Sequence, residues 1–187
     1  ASYDALAALT FDTDLTGLDL GGLTLTAGVY RFSSSAQLTG TLTLDAQGDA
    51  DARFVFQIGS TLTTASNSLV ALINVAPGLE CGPESGLFWQ IGSSATIGTG
   101  SAFAGNLLAL TSITLNTGAS IDFGRALAIN GAVTLDSNRI DASDTDGGFC
   151  LEITPVPEPG TYGMAGCALL LFATLSHRRQ KHACSRA

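Results

Sequence analysis

The sequence predicts an all-β protein in which short strands wind into the stacked coils of a solenoid. The first observation is a recurring sequence motif in which small polar residues precede an apolar-Thr-apolar triplet. The central threonines of its six copies are Thr24, Thr43, Thr63, Thr96, Thr114 and Thr134. Their spacings of 19, 20, 33, 18 and 20 residues indicate one period near 20 with one insertion. A fixed period of this length is typical of a solenoid, whose coils bury their apolar faces only by stacking.

The second observation is an apolar, partly aromatic strand that accompanies the threonine strand in each coil. Examples are Val29-Tyr30-Arg31-Phe32, Phe54-Val55-Phe56-Gln57-Ile58, Leu87-Phe88-Trp89-Gln90-Ile91, Asn106-Leu107-Leu108-Ala109-Leu110 and Arg125-Ala126-Leu127-Ala128-Ile129. The third observation is a composition rich in Thr, Ser and Gly, with 22 glycines. Such a composition suits short strands joined by tight turns.

Composition and charge exclude two classes of protein. With 45% hydrophobic and 13% charged residues, the chain of 187 residues can build a core and is not intrinsically disordered. Residues 1–155 contain 15 acidic residues against four arginines, with no Lys and no His. Because binding to phosphates needs a basic face, we expect no nucleic-acid partner.

The chain is expected to begin with the end of a helix. Residues 2–9 place apolar side chains at helical spacing, but they are too few to form a stable helix alone. Residues 1–14 are therefore predicted to be the last turns of a helix that packs against the solenoid, followed by a linker. The solenoid itself is predicted to span residues 15–154.

Within each coil, strand alternation predicts which side chains face the core. Leu42 and Leu44 should point inward and Thr43 outward, because successive strand residues face opposite sides. Stacking the coils would then form one ladder of outward threonines on one face, with rungs roughly 4.8 Å apart.

One long insertion interrupts the repeats at residues 76–86, and its Pro and Gly content predicts a surface loop. It contains Cys81, which with Cys150 could form a disulfide in an extracellular domain. Two buried thiols are the equal alternative, because the sequence does not supply the separation that a bridge requires.

An acidic, turn-rich segment ends the repeats. Its Asp144-Thr145-Asp146-Gly147 stretch suggests a calcium loop, but an EF-hand register would place Ala142 at the first ligand position and Ile153 at the last. We interpret the segment as an acidic linker, and we expect neither a metal site nor a cofactor.

Residues 155–187 differ in character from the rest of the chain. Pro157-Glu158-Pro159 precedes an uncharged stretch over residues 160–176 and a basic cluster over residues 177–181. An apolar run followed by positive charge predicts a membrane span with its C-terminus inside, and a buried core helix is the alternative.

This tail resembles the PEP-CTERM sorting signal of Gram-negative bacteria, which has the same three parts in the same order. The resemblance implies an exported protein that is transiently anchored in the membrane and then processed by an exosortase. It would reach the cell surface or the extracellular space.

Residues 15–140 resemble the microbial ice-binding protein family. The stretches that carry the resemblance are Leu15-Thr16-Gly17, Gly21-Gly22-Leu23-Thr24-Leu25, Gly28-Val29-Tyr30, Phe54-Val55-Phe56-Gln57-Ile58, Phe88-Trp89-Gln90, Thr114-Leu115-Asn116-Thr117-Gly118-Ala119 and Thr134-Leu135-Asp136-Ser137-Asn138. The resemblance implies a right-handed, discontinuous β-solenoid of triangular cross-section with a flanking helix. It also implies that this chain lacks the family's opening coil and most of that helix, corresponding to the C-terminal two thirds of a longer protein.

The threonine ladder is the candidate site for adsorption to ice. Threonine is common on any exposed strand, but natural surfaces are normally charged, and six in-phase threonines on nearly uncharged strands are not typical of a solvated face. Turns beside the ladder resemble the family's Thr-(Ala/Gly)-x-(Thr/Asn) motif. The resulting candidate residues are Thr24, Thr43, Thr63, Thr64, Asn67, Thr96, Thr99, Thr114, Thr117, Ser120 and Thr134.

Catalysis is not expected. Residues 1–155 contain no histidine and no Gly-x-Ser-x-Gly elbow, and their acidic residues lie mostly in turns. The competing function is that of a non-catalytic structural or adhesive protein of the extracellular matrix, which a polar, repetitive and acidic solenoid would also suit.

Overall fold

A computed structural model describes residues 2–76 and 86–142. The cysteine pair Cys81 and Cys150, the acidic stretch at residues 144–147, and the tail with Pro157, Glu158 and Pro159 lie outside the described residues.

The described residues form one short helix and seventeen short strands. The helix is α1 (Tyr3–Ala7). The strands are β1 (Thr13–Asp14), β2 (Thr24–Thr26), β3 (Gly28–Phe32), β4 (Ala36–Leu38), β5 (Thr41–Asp45), β6 (Phe54–Ile58), β7 (Leu62–Thr64), β8 (Leu69–Ile73), β9 (Leu87–Ile91), β10 (Ala95–Ile97), β11 (Ala102–Ala104), β12 (Asn106–Ala109), β13 (Ile113–Leu115), β14 (Ser120–Asp122), β15 (Ala126–Ala128), β16 (Val133–Leu135) and β17 (Arg139–Asp141).

The strands form three parallel sheets around one core, as the predicted solenoid requires. Sheet A has the order β1-β3-β6-β9-β12-β15, sheet B the order β4-β7-β10-β13-β16, and sheet C the order β2-β5-β8-β11-β14-β17. Each coil contributes one strand to each sheet, except that the first contributes to sheets A and C and reaches sheet B only through a bridge between Asp19 and Gln37. In the described part of the chain, the coils stack in sequence order.

The single ladder predicted from the sequence is wrong, because the six threonines divide between two sheets. Thr24 and Thr43 pair with each other on sheet C, whereas Thr63 and the three later threonines lie on sheet B. The cause is an insertion at residues 46–53, between β5 and β6, which lengthens the second coil. Gln37, not Thr43, is the residue in register with Thr63.

Stacked aromatic rings fill the centre of the core. The Phe56 ring lies parallel to Trp89 at 4.0 Å between centroids, and Tyr30 stacks on its other side at 5.3 Å. Trp89 is fully buried, and its indole N–H donates to the Ala104 carbonyl oxygen at 2.9 Å. This bond satisfies the only polar atom of the side chain, so the ring contributes its full apolar area to the core.

The corner between sheets B and C repeats a left-handed backbone conformation. Asn67, Gly100 and Gly118 have φ of 57°, 65° and 70°, a region that glycine and asparagine enter most readily. Backbone bonds stack these turns, since the Asn67 N–H donates to Thr99 and the Gly100 N–H to Thr117. The turns therefore keep sheet B in the same orientation from coil to coil.

Helix α1 packs on the outer face of sheet A, as expected for residues 2–9. Its Leu6 side chain is buried against Val55 and Leu108, and the Ser2 hydroxyl caps its first turn by accepting from the Ala5 N–H. The Gln57 side-chain amide donates to two carbonyl oxygens at the end of the helix, both at 2.8 Å. Among the described residues, no helix is long and apolar enough to cross a membrane.

Candidate functional site

The outer face of sheet B carries one column of side chains in exact register along the solenoid axis. The residues of this column, from the second coil to the last, are Gln37, Thr63, Thr96, Thr114 and Thr134. We call the last four the threonine ladder. Thr63 and Thr134 are exposed, and Thr96 and Thr114 are half-buried between their neighbours.

The central rungs of the ladder rest on a closely packed core layer, whereas Val133 and Leu135 beside Thr134 are exposed. The residues on either side of Thr96 and Thr114 point inward, and Ala95, Ile97, Ile113 and Leu115 are each at most 1% exposed. Threonine has a branched Cβ, which restricts its χ1 angle and leaves little rotamer freedom to lose on contact. The ladder is therefore a rigid row of methyl and hydroxyl groups with a spacing of roughly 4.8 Å.

No charge interrupts the threonine ladder; among the described residues, the one charged residue in register with its column is Asp19, which is bridged to Gln37 ahead of the first strand of sheet B. None of the five strands of sheet B contains an acidic or basic residue. The ion pairs among the described residues lie on sheet C instead, where Arg139 reaches Asp122 at 2.6 Å and Asp141 at 3.2 Å. Burial raises the pKa of Asp122, and Arg139 only partly offsets this effect.

The other two faces differ from sheet B. Helix α1 covers part of sheet A. On sheet C, the row that begins with Thr24 and Thr43 continues with Ala71, so its threonines end after two coils. The insertion at residues 46–53 and the longer one between β8 and β9 both enter at the corner between sheets C and A, which is the corner opposite sheet B.

The turn residues proposed from the sequence are only partly brought together. Asn67, Thr99 and Thr117 are exposed at the corner between sheets B and C, where the Thr117 hydroxyl donates to the Asp136 carboxylate. Ser120 lies on sheet C, half-buried and directed towards Asp122.

Thr64 does not belong to an exposed site. Its side chain is only 4% exposed, and its hydroxyl oxygen accepts from the Gly98 N–H at 2.8 Å. Strand alternation explains this placement, since Thr63 faces outward and its neighbour must face inward. The Thr64 hydroxyl therefore links two neighbouring coils by a hydrogen bond inside the protein.

Gln37 is the column residue that sequence reasoning missed. The insertion at residues 46–53 concealed the true interval between Gln37 and Thr63, and glutamine does not match the threonine pattern. The available signal was the triplet Ala36-Gln37-Leu38, which has the same small-polar-apolar alternation as Ala95-Thr96-Ile97.

Comparisons with known proteins agree with the resemblance seen in the sequence. An ice-binding protein of Nostoc sp. (strain HG1) is 59% identical over 179 residues, which cover 92% of this chain and 62% of that protein. Ice-binding protein 1 of Shewanella frigidimarina is 39% identical over 130 residues, covering 68% of this chain and 14% of that protein. The chain thus spans less than two thirds of the length of these relatives.

Solved structures show the same fold. The crystal structure of an ice-binding protein from the Antarctic ascomycete Antarctomyces psychrotrophicus matches with a TM-score of 0.68 and 42% identity, over 75% of this chain and 66% of that one. The profile of the family described as Ice-binding-like matches residues 1–141. On these grounds, the chain belongs to the ice-binding-like family.

Proposed function

We propose that this protein adsorbs to ice through the outer face of sheet B and thereby inhibits ice growth or recrystallisation. The observation that carries the proposal is the threonine ladder, in register over four successive coils on strands without charge. The names of the relatives from Nostoc and Shewanella support the same function.

The physical basis is the sum of many weak contacts. An ice surface is flat and has no protruding group that could fill a binding pocket. Affinity therefore depends on a flat protein face that contacts many water molecules of the ice lattice at once. Threonine suits this task because its methyl group tolerates ordered water and its hydroxyl group can bond to it. The rigid ladder also loses little side-chain entropy on adsorption.

Sheet B is the face best suited to flat contact. Sheet A is partly covered by α1, and the two insertions enter at the corner opposite sheet B. Contact through sheet B therefore leaves the insertion at residues 46–53 on the side facing water. Thr24 and Thr43 on sheet C are expected to contribute little to adsorption.

The function we propose is non-catalytic, and we propose that the protein is exported from the cell. Residues 155–187 would act as a PEP-CTERM sorting signal, supported by Pro157, Glu158, Pro159 and the basic cluster that follows the uncharged stretch. Replacing these three residues by Ala in an exosortase-containing host should leave the protein in the membrane fraction. Wild-type processing of that variant would exclude the sorting role.

Ice-crystal shaping on a cold stage tests the proposed function. An ice-binding protein at micromolar concentration should facet a growing single crystal and inhibit recrystallisation of a polycrystalline film. A matrix or adhesive module would leave the crystal a round disc. Round discs formed by the folded protein would refute the proposal.

A further inference from the structure

A second row of hydroxyl groups runs beside the ladder at the corner between sheets A and B. We call it the corner row; it consists of Ser35, Thr61, Ser94 and Ser112. Each of these residues directly precedes a strand of sheet B. Backbone bonds stack them, because the carbonyl oxygen of Thr61, Ser94 or Ser112 accepts an N–H from the strand of the preceding coil at 2.9–3.1 Å.

The hydroxyl groups of the corner row bond to one another and to the backbone. The Thr61 hydroxyl donates to the Ser35 hydroxyl oxygen at 2.8 Å, and the Ser94 oxygen accepts from the Ser112 N–H at 3.4 Å. A hydroxyl group can donate one hydrogen bond and accept two. Since Ser35 is exposed and the other three are half-buried, each retains capacity to bond to water outside the protein.

The corner row and the threonine ladder together form a two-dimensional array. Each corner residue stands two positions before a residue of the sheet B column, so alternation places both on the same side, roughly 6.6 Å apart. The three complete pairs are Thr61 with Thr63, Ser94 with Thr96, and Ser112 with Thr114. At the two ends the array is incomplete, because Gln37 replaces a threonine and Ala132 replaces a corner hydroxyl.

We propose that the corner row is the second column of the ice-contact surface, and this rests on the proposed function. The unit of recognition is then (Ser/Thr)-x-Thr in each central coil. A single column matches a lattice along one direction only and leaves the protein free to rotate about it. Two columns match the lattice in two directions, so the corner row determines which ice plane the protein selects.

Substitutions at Ser94 and Ser112 test this role. The double variant Ser94→Ala with Ser112→Ala removes two hydroxyl groups from the middle of the row. It should weaken adsorption by about fourfold or more, taking a factor of at least about two for each of the two net hydrogen bonds lost. Fluorescently labelled protein on a single-crystal ice hemisphere should also stain a broader set of planes than the wild type.

Three single variants complete the design. Ser94→Thr keeps the hydroxyl group and should retain wild-type adsorption and plane selection. Ser94→Tyr should abolish shaping, while Thr41→Tyr places the same bulk on sheet C and should leave it intact. The melting temperature of each variant serves as the structural control. If adsorption falls only in variants whose melting temperature also falls, the corner row serves only to hold neighbouring coils together.

The outcomes separate this inference from the proposed function. If wild-type protein shapes ice and the double alanine variant matches it in adsorption and in plane selection, the corner row is not part of the contact surface. The proposed function would stand in that case, since substitutions in the threonine ladder would still reduce shaping. Failure of the wild type to shape ice would instead refute the proposed function itself.

Discussion

Thr114→Tyr is the substitution in the threonine ladder whose consequences the structure defines most fully. Thr114 pairs in register with Thr96 on one side and Thr134 on the other. Its side chain points away from the core, while Ile113 and Leu115 on either side are buried. A tyrosine at this position would therefore project from the face and leave the core unchanged.

The expected loss of activity follows from the spacing of the rungs. The neighbouring rungs lie roughly 4.8 Å from Thr114, so a projecting ring prevents flat contact at Thr96, Thr114 and Thr134 together. Of the four rungs, only Thr63 then keeps its contact with ice. If thermal hysteresis is proportional to the number of rungs in contact at this spacing, it should fall to about a quarter or less.

Stability should hardly change. Tyrosine has high β-propensity, and a surface substitution of this kind changes the free energy of unfolding by about 0.5 kcal/mol or less. For a chain of this size, that corresponds to a shift in melting temperature of about 2 °C or less.

The assay is nanolitre osmometry combined with thermal unfolding followed by circular dichroism. Asp49→Tyr is the control, because Asp49 is exposed in the turn between β5 and β6, far from sheet B. It should keep full hysteresis. If Thr114→Tyr also keeps full hysteresis, the ladder is not the contact surface, and the turn residues Thr99 and Thr117 become the next candidates.

Three further predictions concern the ends and the core of the solenoid. Asp19→Ala should lower stability by about 1 kcal/mol, because the Asp19 carboxylate accepts from the Gly21 and Thr39 N–H groups at 2.7 and 2.9 Å. Burial raises the pKa of Asp19, but these bonds lower it below its ordinary value overall. The difference from wild type, measured by urea unfolding, should therefore be largest at neutral pH and shrink as the pH falls through the lowered pKa. A difference that is independent of pH would contradict this. Trp89→Ala should lower the free energy of unfolding by about 3–5 kcal/mol. A decrease of under about 1 kcal/mol, measured by calorimetry, would show that the stacked aromatic rings are not a main source of the stability of the solenoid. Gln37→Thr should extend the ladder by one rung and raise hysteresis, and unchanged hysteresis would mean that the first full coil does not touch ice.

The alternation of the strands was predictable from the sequence because it depends only on local chemistry. Leu42 and Leu44 are fully buried, as predicted, and Thr43 lies between them on the outer side. The packing of residues 2–9 against the solenoid was likewise predictable from helical spacing, although α1 is shorter than that stretch. The all-β solenoid and the family resemblance are both confirmed.

The phase of the repeats was not predictable from spacing alone. Thr43 and Thr63 lie 20 residues apart, which matches the period, yet they occupy different sheets. An insertion of several residues can shift the chain from one corner to another and leave the apparent period intact. Only the pairing register distinguishes these cases, because each residue must then have a partner in the next coil.

Three of the candidate site residues illustrate this limit. Thr24 and Thr43 lie on another sheet from the ladder, and Thr64 faces inward. Thr64 could have been excluded from the sequence, because adjacent strand residues cannot both face outward. Three members of the corner row were also present in the sequence as the residue two positions before Thr63, Thr96 and Thr114, but a search for threonine alone passes over serine.

The measurement that tests the central claim most directly compares the same substitution on two faces. Thr96→Tyr places a tyrosine on sheet B and Thr43→Tyr places one on sheet C, and both positions are half-buried with their side chains outward. The quantity to measure is the fraction of each folded variant incorporated into a slowly growing ice hemisphere. Adsorption through sheet B predicts that Thr43→Tyr partitions into ice like the wild type and that Thr96→Tyr stays in the liquid. Equal partitioning of the two variants, or exclusion of Thr43→Tyr alone, would contradict the assignment of sheet B as the ice-binding face.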